Sequence, residues 1–157
     1  MQELLPYILG LGLLIAGGIP AFFFLKKSRK KLTTSPKLRL LNQEDSLLCF
    51  QKLSNYVAQR SPYLETSISL KDLAARMELP YSYLQQAIND HANGNYEEFI
   101  NQFRVEKAKE LLHAADYKGL PMLQISTDAG FNDLTKFDQV FKKQTGLTPI
   151  QYQKKKQ

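Results

Sequence analysis

The chain has 157 residues, enough for one ordinary domain with appendages, and a formal net charge of +6. Lys26, Lys27, Arg29, Lys30 and Lys31 against Glu3 place +4 of that charge within residues 1–35, leaving +2 for the rest, so basicity alone is no argument for nucleic-acid binding. A single cysteine, Cys49, excludes an intramolecular disulfide, and His91 and His113 have no metal-ligand spacing with it or with a carboxylate cluster, so no metal or other cofactor is expected.

Residues 4–25 form an uncharged run rich in Leu, Ile, Gly and Phe. As a helix it would be roughly 33 Å long, against a hydrocarbon core of about 30 Å. The cluster Lys26-Lys27-Ser28-Arg29-Lys30-Lys31 follows at once. A cleaved signal peptide carries its positive charge ahead of the apolar segment, whereas Met1-Gln2-Glu3 is uncharged to acidic. Basic residues stay on the cytoplasmic side. The expectation is therefore a transmembrane anchor over residues 1–25 in a bacterial inner membrane, N-terminus outside, then a basic juxtamembrane linker over residues 26–42. Lipid contact would run through residues 4–31, with the basic cluster on anionic headgroups. Pro20 would kink or shorten the helix near its cytoplasmic end. Gly12 with Ala16, and Gly17 with Ala21, have a small-xxx-small spacing that admits a homodimer or a membrane sensor partner.

Leu47, Leu48, Phe50, Leu53, Tyr56 and Val57 recur at helical spacing, which predicts a connecting helix over residues 43–62 packed on the domain that follows. Cys49 reads as a small buried hydrophobe within it. Ser61-Pro62-Tyr63-Leu64 reads as extended, with Leu64 anchored in the core.

A first helix-turn-helix is expected over about residues 69–92. Ser69 is a helix cap with Asp72 in a capping-box position, and Leu70, Leu73, Ala74 and Met77 form the apolar face. Glu78-Leu79 turns the chain, Pro80 suits a helix start, and the second helix keeps Leu84, Ala87 and Ile88 inward. Asn95 caps a long helix over about residues 95–115, whose apolar surface is Phe99, Ile100, Phe103, Val105, Ala108, Leu111 and Leu112. A second helix-turn-helix is expected over about residues 121–144. Its first helix opens at Leu123 and Ile125 and runs to Ala129, Gly130 makes the turn, and Asn132 caps the next helix. Leu134, Phe137, Val140 and Phe141 recur on that helix, with Phe131, Phe137 and Phe141 expected in the core.

Ile125, Gly130-Phe131, Phe137, Phe141-Lys142-Lys143 and Gly146-Leu147-Thr148-Pro149, ending in Tyr152, together resemble the second half of an AraC/XylS-type DNA-binding domain. Leu73-Ala74, Leu79, Tyr83-Leu84 and Ile88-Asn89 are similar to its first half, and Arg104-xxx-Ala108 to its linker helix. The sequence departs from the family at Glu78, where Gly is frequent, and at Gln139, where Arg is common. The resemblance implies an all-α fold: two helix-turn-helix subdomains joined by a linker helix within a domain of residues 63–157, here preceded by a single transmembrane helix. It also implies a transcription regulator that binds double-stranded DNA, with two recognition helices entering groove segments about 34 Å apart.

On the first recognition helix the exposed set is Tyr81, Ser82, Gln85, Gln86 and Asn89, whose amides suit adenine. On the second it is Asp133, Leu134, Thr135, Lys136 and Gln139. Lys136 suits guanine, Asp133 cytosine and Leu134 a thymine methyl, while Lys142 and Lys143 suit phosphate. Two other readings stand beside this one. A membrane-tethered interaction module would keep the fold with weak or no DNA binding, which the acidic Asp133 and Asp138 would favour. The chain would also fit a shortened relative of a longer sensor-regulator. An enzyme is not expected, because no phosphate-cradling glycine loop or nucleophile elbow occurs, and Ser126 and Asp128 read as surface polar residues.

Overall fold

The computed structural model describes residues 41–155. The expected membrane anchor and the juxtamembrane linker up to residue 40 lie outside the described residues. Among the described residues no helix is long and apolar enough to cross a membrane.

Seven α-helices and no strand are present among the described residues: α1 (Gln43–Arg60), α2 (Leu70–Arg76), α3 (Tyr81–His91), α4 (Tyr96–His113), α5 (Met122–Asp128), α6 (Leu134–Thr145) and α7 (Pro149–Lys155). Their starts follow local chemistry. Asn42 caps α1 by accepting from the Asp45 amide, and Ser69 with Asp72, and Asn95 with Glu98, close full capping boxes on α2 and α4. The cap of α6 is Asp133, whose carboxylate accepts from the Lys136 amide, one residue later than the expected Asn132.

Two apolar clusters share α4. The first joins Leu53 and Val57 of α1, Leu73 of α2 and Leu84 and Ile88 of α3 to Phe99 and Ile100 at the start of α4. The second joins Val105, Ala108, Leu111 and Leu112, further along α4, to Ile125, Phe131, Phe137 and Phe141. Phe131, Phe137, Phe141 and Tyr152 form a chain of rings 5.1, 5.6 and 5.4 Å apart, so these phenylalanines are core residues as their spacing suggests. A rigid α4 thus contributes one end to each helix-turn-helix.

Several local expectations are corrected. Leu47 and Leu48 are 43% and 48% exposed, because the face of α1 against α3 is formed by Ser46, Cys49, Leu53 and Val57. Cys49 is buried as expected, and burial pushes its thiol pKa up, away from reactivity. Residues 62–64 form a 3-10 turn rather than an extended segment, and Pro62, not Leu64, is buried in it. Leu123 is 60% exposed, and Ser126 is buried with its hydroxyl donating to the Leu123 carbonyl.

Both helix-turn-helix turns use the same backbone device. The Leu79 amide donates to the Ala74 carbonyl and the Phe131 amide to the Ser126 carbonyl, each closing a left-handed helix end. The left-handed residue is Gly130 in the second unit but Glu78, at φ 54°, in the first. Glu78 is exposed, so only its own backbone strain is at stake. Glu78→Gly is expected to raise stability by about 0.5–1 kcal/mol, read as an upward shift of the denaturation midpoint. No change, or a fall, would show that the turn holds Glu78 without strain.

Candidate nucleic-acid interface

The exposed side of α3 carries Tyr81, Gln85 and Asn89, spaced one turn apart, with Ser82 half-buried beside them. Pro80 precedes the helix and supplies no side-chain cap. A cleft of about 370 Å³ opens beside this face, bounded by Ser69 and Lys71 of the α2 start and by Tyr96. Burial pushes the Tyr96 phenol up to about 12, so it stays protonated and donates to the Ile68 carbonyl.

Gln86 departs from its expected outward placement. Its side-chain amide accepts from the Leu41 N–H at 2.8 Å and donates to the Leu41 carbonyl at 2.9 Å. Beside it the Ser46 hydroxyl donates to Asp90 at 2.7 Å. These polar residues of α3 fasten the chain entering α1, and Gln86 is held away from the exposed row.

On α6, Thr135, Gln139 and Lys142 lie exposed. Leu134 is half-buried against the second apolar cluster, and the Asp133 carboxylate is engaged as the helix cap. Lys136 and Lys143 reach back to the first turn of α4: Lys136 Nζ is 2.6 Å from Glu97 Oε1, and Lys143 Nζ is 2.8 Å from Glu98 Oε1. The Lys143 ammonium holds the Glu98 carboxyl below the usual carboxylate range, and Glu98 in turn raises the Lys143 pKa. Lys142 makes no ion pair with a described residue.

The clefts place the two helices relative to each other. A second cleft, about 270 Å³, is bounded by Ser69, Tyr96, Glu97 and Lys136. It shares Ser69 and Tyr96 with the cleft beside α3. The cleft beside the exposed row of α3 and the cleft at the first turn of α6 are therefore neighbours, both walled by the start of α4. Among the described residues no three His, Cys, Asp or Glu side chains come together as a metal site.

The sequence marks Arg104 only by its spacing to Ala108, and its role rests on long-range contacts. Arg104 is 8% exposed and donates through Nε to the Tyr63 carbonyl at 2.8 Å and through Nη2 to the Glu65 carbonyl at 3.1 Å. Its guanidinium carbon lies 5.7 Å from the centre of the Phe131 ring. It thus links α4, the chain between α1 and α2, and the turn between α5 and α6. Glu97 and Glu98 carry no local mark as partners of α6, since the capping box explains Glu98 alone and nothing nearby points 39 or 45 residues ahead.

Three comparisons bear on this geometry. A family described as a helix-turn-helix domain matches residues 73–155. The Msm operon regulatory protein of Streptococcus mutans is 29% identical over 89 residues, 57% of this chain and 31% of that protein. The raffinose operon transcriptional regulatory protein RafR of Pediococcus pentosaceus is 28% identical over 89 residues, with the same 57% and 31% shares. The chain therefore matches under a third of the length of these curated relatives. Among solved structures, the C-terminal domain of AraT, a response regulator from Geobacillus stearothermophilus, superposes with a TM-score of 0.58. It is 23% identical, over 68% of this chain and 84% of that one, a likeness of fold.

Proposed function

The chain belongs to the AraC-type helix-turn-helix family, and from that premise we propose that it is a transcription regulator that binds operator DNA through α3 and α6 while its N-terminal segment tethers it to a bacterial inner membrane. The observation that carries the DNA reading is the exposed row of hydrogen-bonding side chains on α3, beside a cleft that adjoins the one at the first turn of α6. Gln85 and Asn89 amides suit adenine edges, and Tyr81 and Ser82 suit phosphate or sugar. On α6, Thr135, Gln139 and Lys142 are the free contacts, and Gln86 becomes a support residue. The two curated relatives carry names of operon regulators, which supports the same reading.

The tether is inferred from sequence alone, from the apolar run of residues 4–25 and the basic cluster behind it. With it goes a division into an anchor (1–25), a juxtamembrane linker (26–42), a connecting helix (43–62) and the DNA-binding domain (63–157). Tethering would confine the protein to DNA that approaches the membrane, with a homodimer or a membrane sensor as the partner of the anchor.

The pairing of Lys136 and Lys143 with acids of α4 favours a second reading, a tethered interaction module with little DNA affinity. Selection of the full chain against a randomised duplex library at physiological salt separates the two. Enrichment of two half-sites about one helical turn apart supports the regulator. Only salt-sensitive background supports the module. Within the regulator reading, Gln85→Ala is expected to relax discrimination at one base position by about 1–3 kcal/mol. Lys142→Ala is expected to weaken binding evenly across sequences and to lower the salt slope by about 1. Equal effects of both changes on every duplex would refute that division of labour.

A further inference from the structure

We infer that Glu97 and Glu98, on the linker helix, set the affinity of the second recognition helix by occupying its lysines in place of DNA phosphate. The inference rests on the DNA-binding reading above and adds to it a pair of residues outside either helix-turn-helix. Two ion pairs of the same kind run from successive residues of the α4 first turn to lysines about two turns apart on one face of α6. A carboxylate presents to an ammonium two charge-bearing oxygens, much as a phosphate does. Lys136 and Glu97 line one cleft, which adjoins the cleft beside α3 through Ser69 and Tyr96. Lys143 and Glu98 border the next cleft, about 610 Å³, between α4 and α6.

The pairs are exposed enough to exchange. The lysine side chains are 44% and 73% exposed and the glutamates 59% and 41%. Ion pairs this wet are weak, so a phosphate can displace the carboxylate. Displacement leaves an unpaired acid beside the phosphate backbone, and the acid repels it. The net charge that α6 brings to DNA is thus lower than its three lysines suggest. Removing the acids unmasks it. Glu98 has a second duty, accepting from the Asn95 amide through its other oxygen, which glutamine can also perform. The Glu97 side chain has no partner among the described residues besides its ion pair.

The test is binding of the purified full chain to a fluorescent duplex of random sequence over a KCl series. Wild type, Glu97→Gln, and the double variant Glu97→Gln/Glu98→Gln are compared, each also combined with Lys136→Gln and Lys143→Gln. The double variant is expected to bind roughly tenfold tighter at low salt, with a salt slope steeper by about 1–2. The gain from Glu97→Gln should shrink in the Lys136→Gln background to the part that comes from relieved repulsion of phosphate, a coupling that a change in folding alone would not produce. Gain of binding by the variant supports the inference, including when wild type binds too weakly to measure. Wild type that binds DNA while the acid variants match it in affinity and slope overturns the inference and leaves the DNA reading standing. Absence of binding by every variant overturns both.

Discussion

Gly130→Ala is expected to destabilise the domain by about 3 kcal/mol or more, seen as a fall in Tm of roughly 10–15 °C. Two costs add at this position. The backbone sits at φ 92°, a left-handed conformation that costs an L-residue about 1–2 kcal/mol. A Cβ built there would also lie 2.3 Å from the Tyr63 carbonyl oxygen and 3.1 Å from the Leu64 Cα. These are backbone atoms of the turn before α2, so relief requires the turn itself to move. Moving it breaks the 2.8 Å bond from Arg104 to the Tyr63 carbonyl. Gly146 provides the control: it is left-handed at φ 77°, yet a Cβ there meets nothing within 4 Å. Gly146→Ala should cost only the conformational part, about 1 kcal/mol. Chemical denaturation of the two variants side by side is decisive, and equal losses would mean that the close approach at Gly130 relaxes freely.

The contrast between Glu78 and Gly130 shows what the sequence could and could not disclose. Both turns were legible, because each follows a short apolar helix and precedes one with inward residues at helical spacing. The caps Ser69 and Asn95 were legible for the same reason: a capping box is written within four residues. So were the buried phenylalanines of the second cluster. Long-range requirements were not. Nothing near Gly130 says that Tyr63 presses on it, and nothing near Gln86 says that its amide serves Leu41, 45 residues back. Helical periodicity placed Gln86 outside, and so it would be on an isolated helix. The exposure of Leu47 and Leu48 has the same origin, since α1 is amphipathic with a narrow buried face and the packing of α3 selects Ser46 and Cys49 instead. Exposed polar positions with no tertiary partner, Gln85, Asn89, Thr135 and Gln139, fell where their spacing put them. Positions that tie one helix to another did not. Lys136 and Lys143 of α6 belong to that second group, and this is why a motif-level reading counts them as free charge.

Arg104 is the residue on which the two helix-turn-helix units most depend together, and replacing it with methionine should expose that dependence. Methionine keeps much of the apolar stem but cannot donate. The Tyr63 and Glu65 carbonyls would lose their charged donor, and the Phe131 ring would lose the cation above it. Burial lowers the guanidinium pKa, but arginine stays charged, so what is lost is a set of charge-assisted hydrogen bonds. The expected loss is about 3 kcal/mol. Lysine, with one point charge, should recover only part of it, because the two carbonyls are served by different nitrogens of a planar fork. The more telling expectation concerns cooperativity. Arg104 joins the turn at residues 62–64, which packs with the first unit, to the α5–α6 turn of the second. With the link cut, the two apolar clusters still share α4 but no longer the same clamp. Hydrogen exchange in wild type should then give similar opening free energies for buried amides of α3 and α6, while Arg104→Met should separate them. A variant that loses stability yet opens as one unit would show that α4 alone couples the two units. One that loses less than about 1 kcal/mol would show that water replaces the guanidinium at these carbonyls.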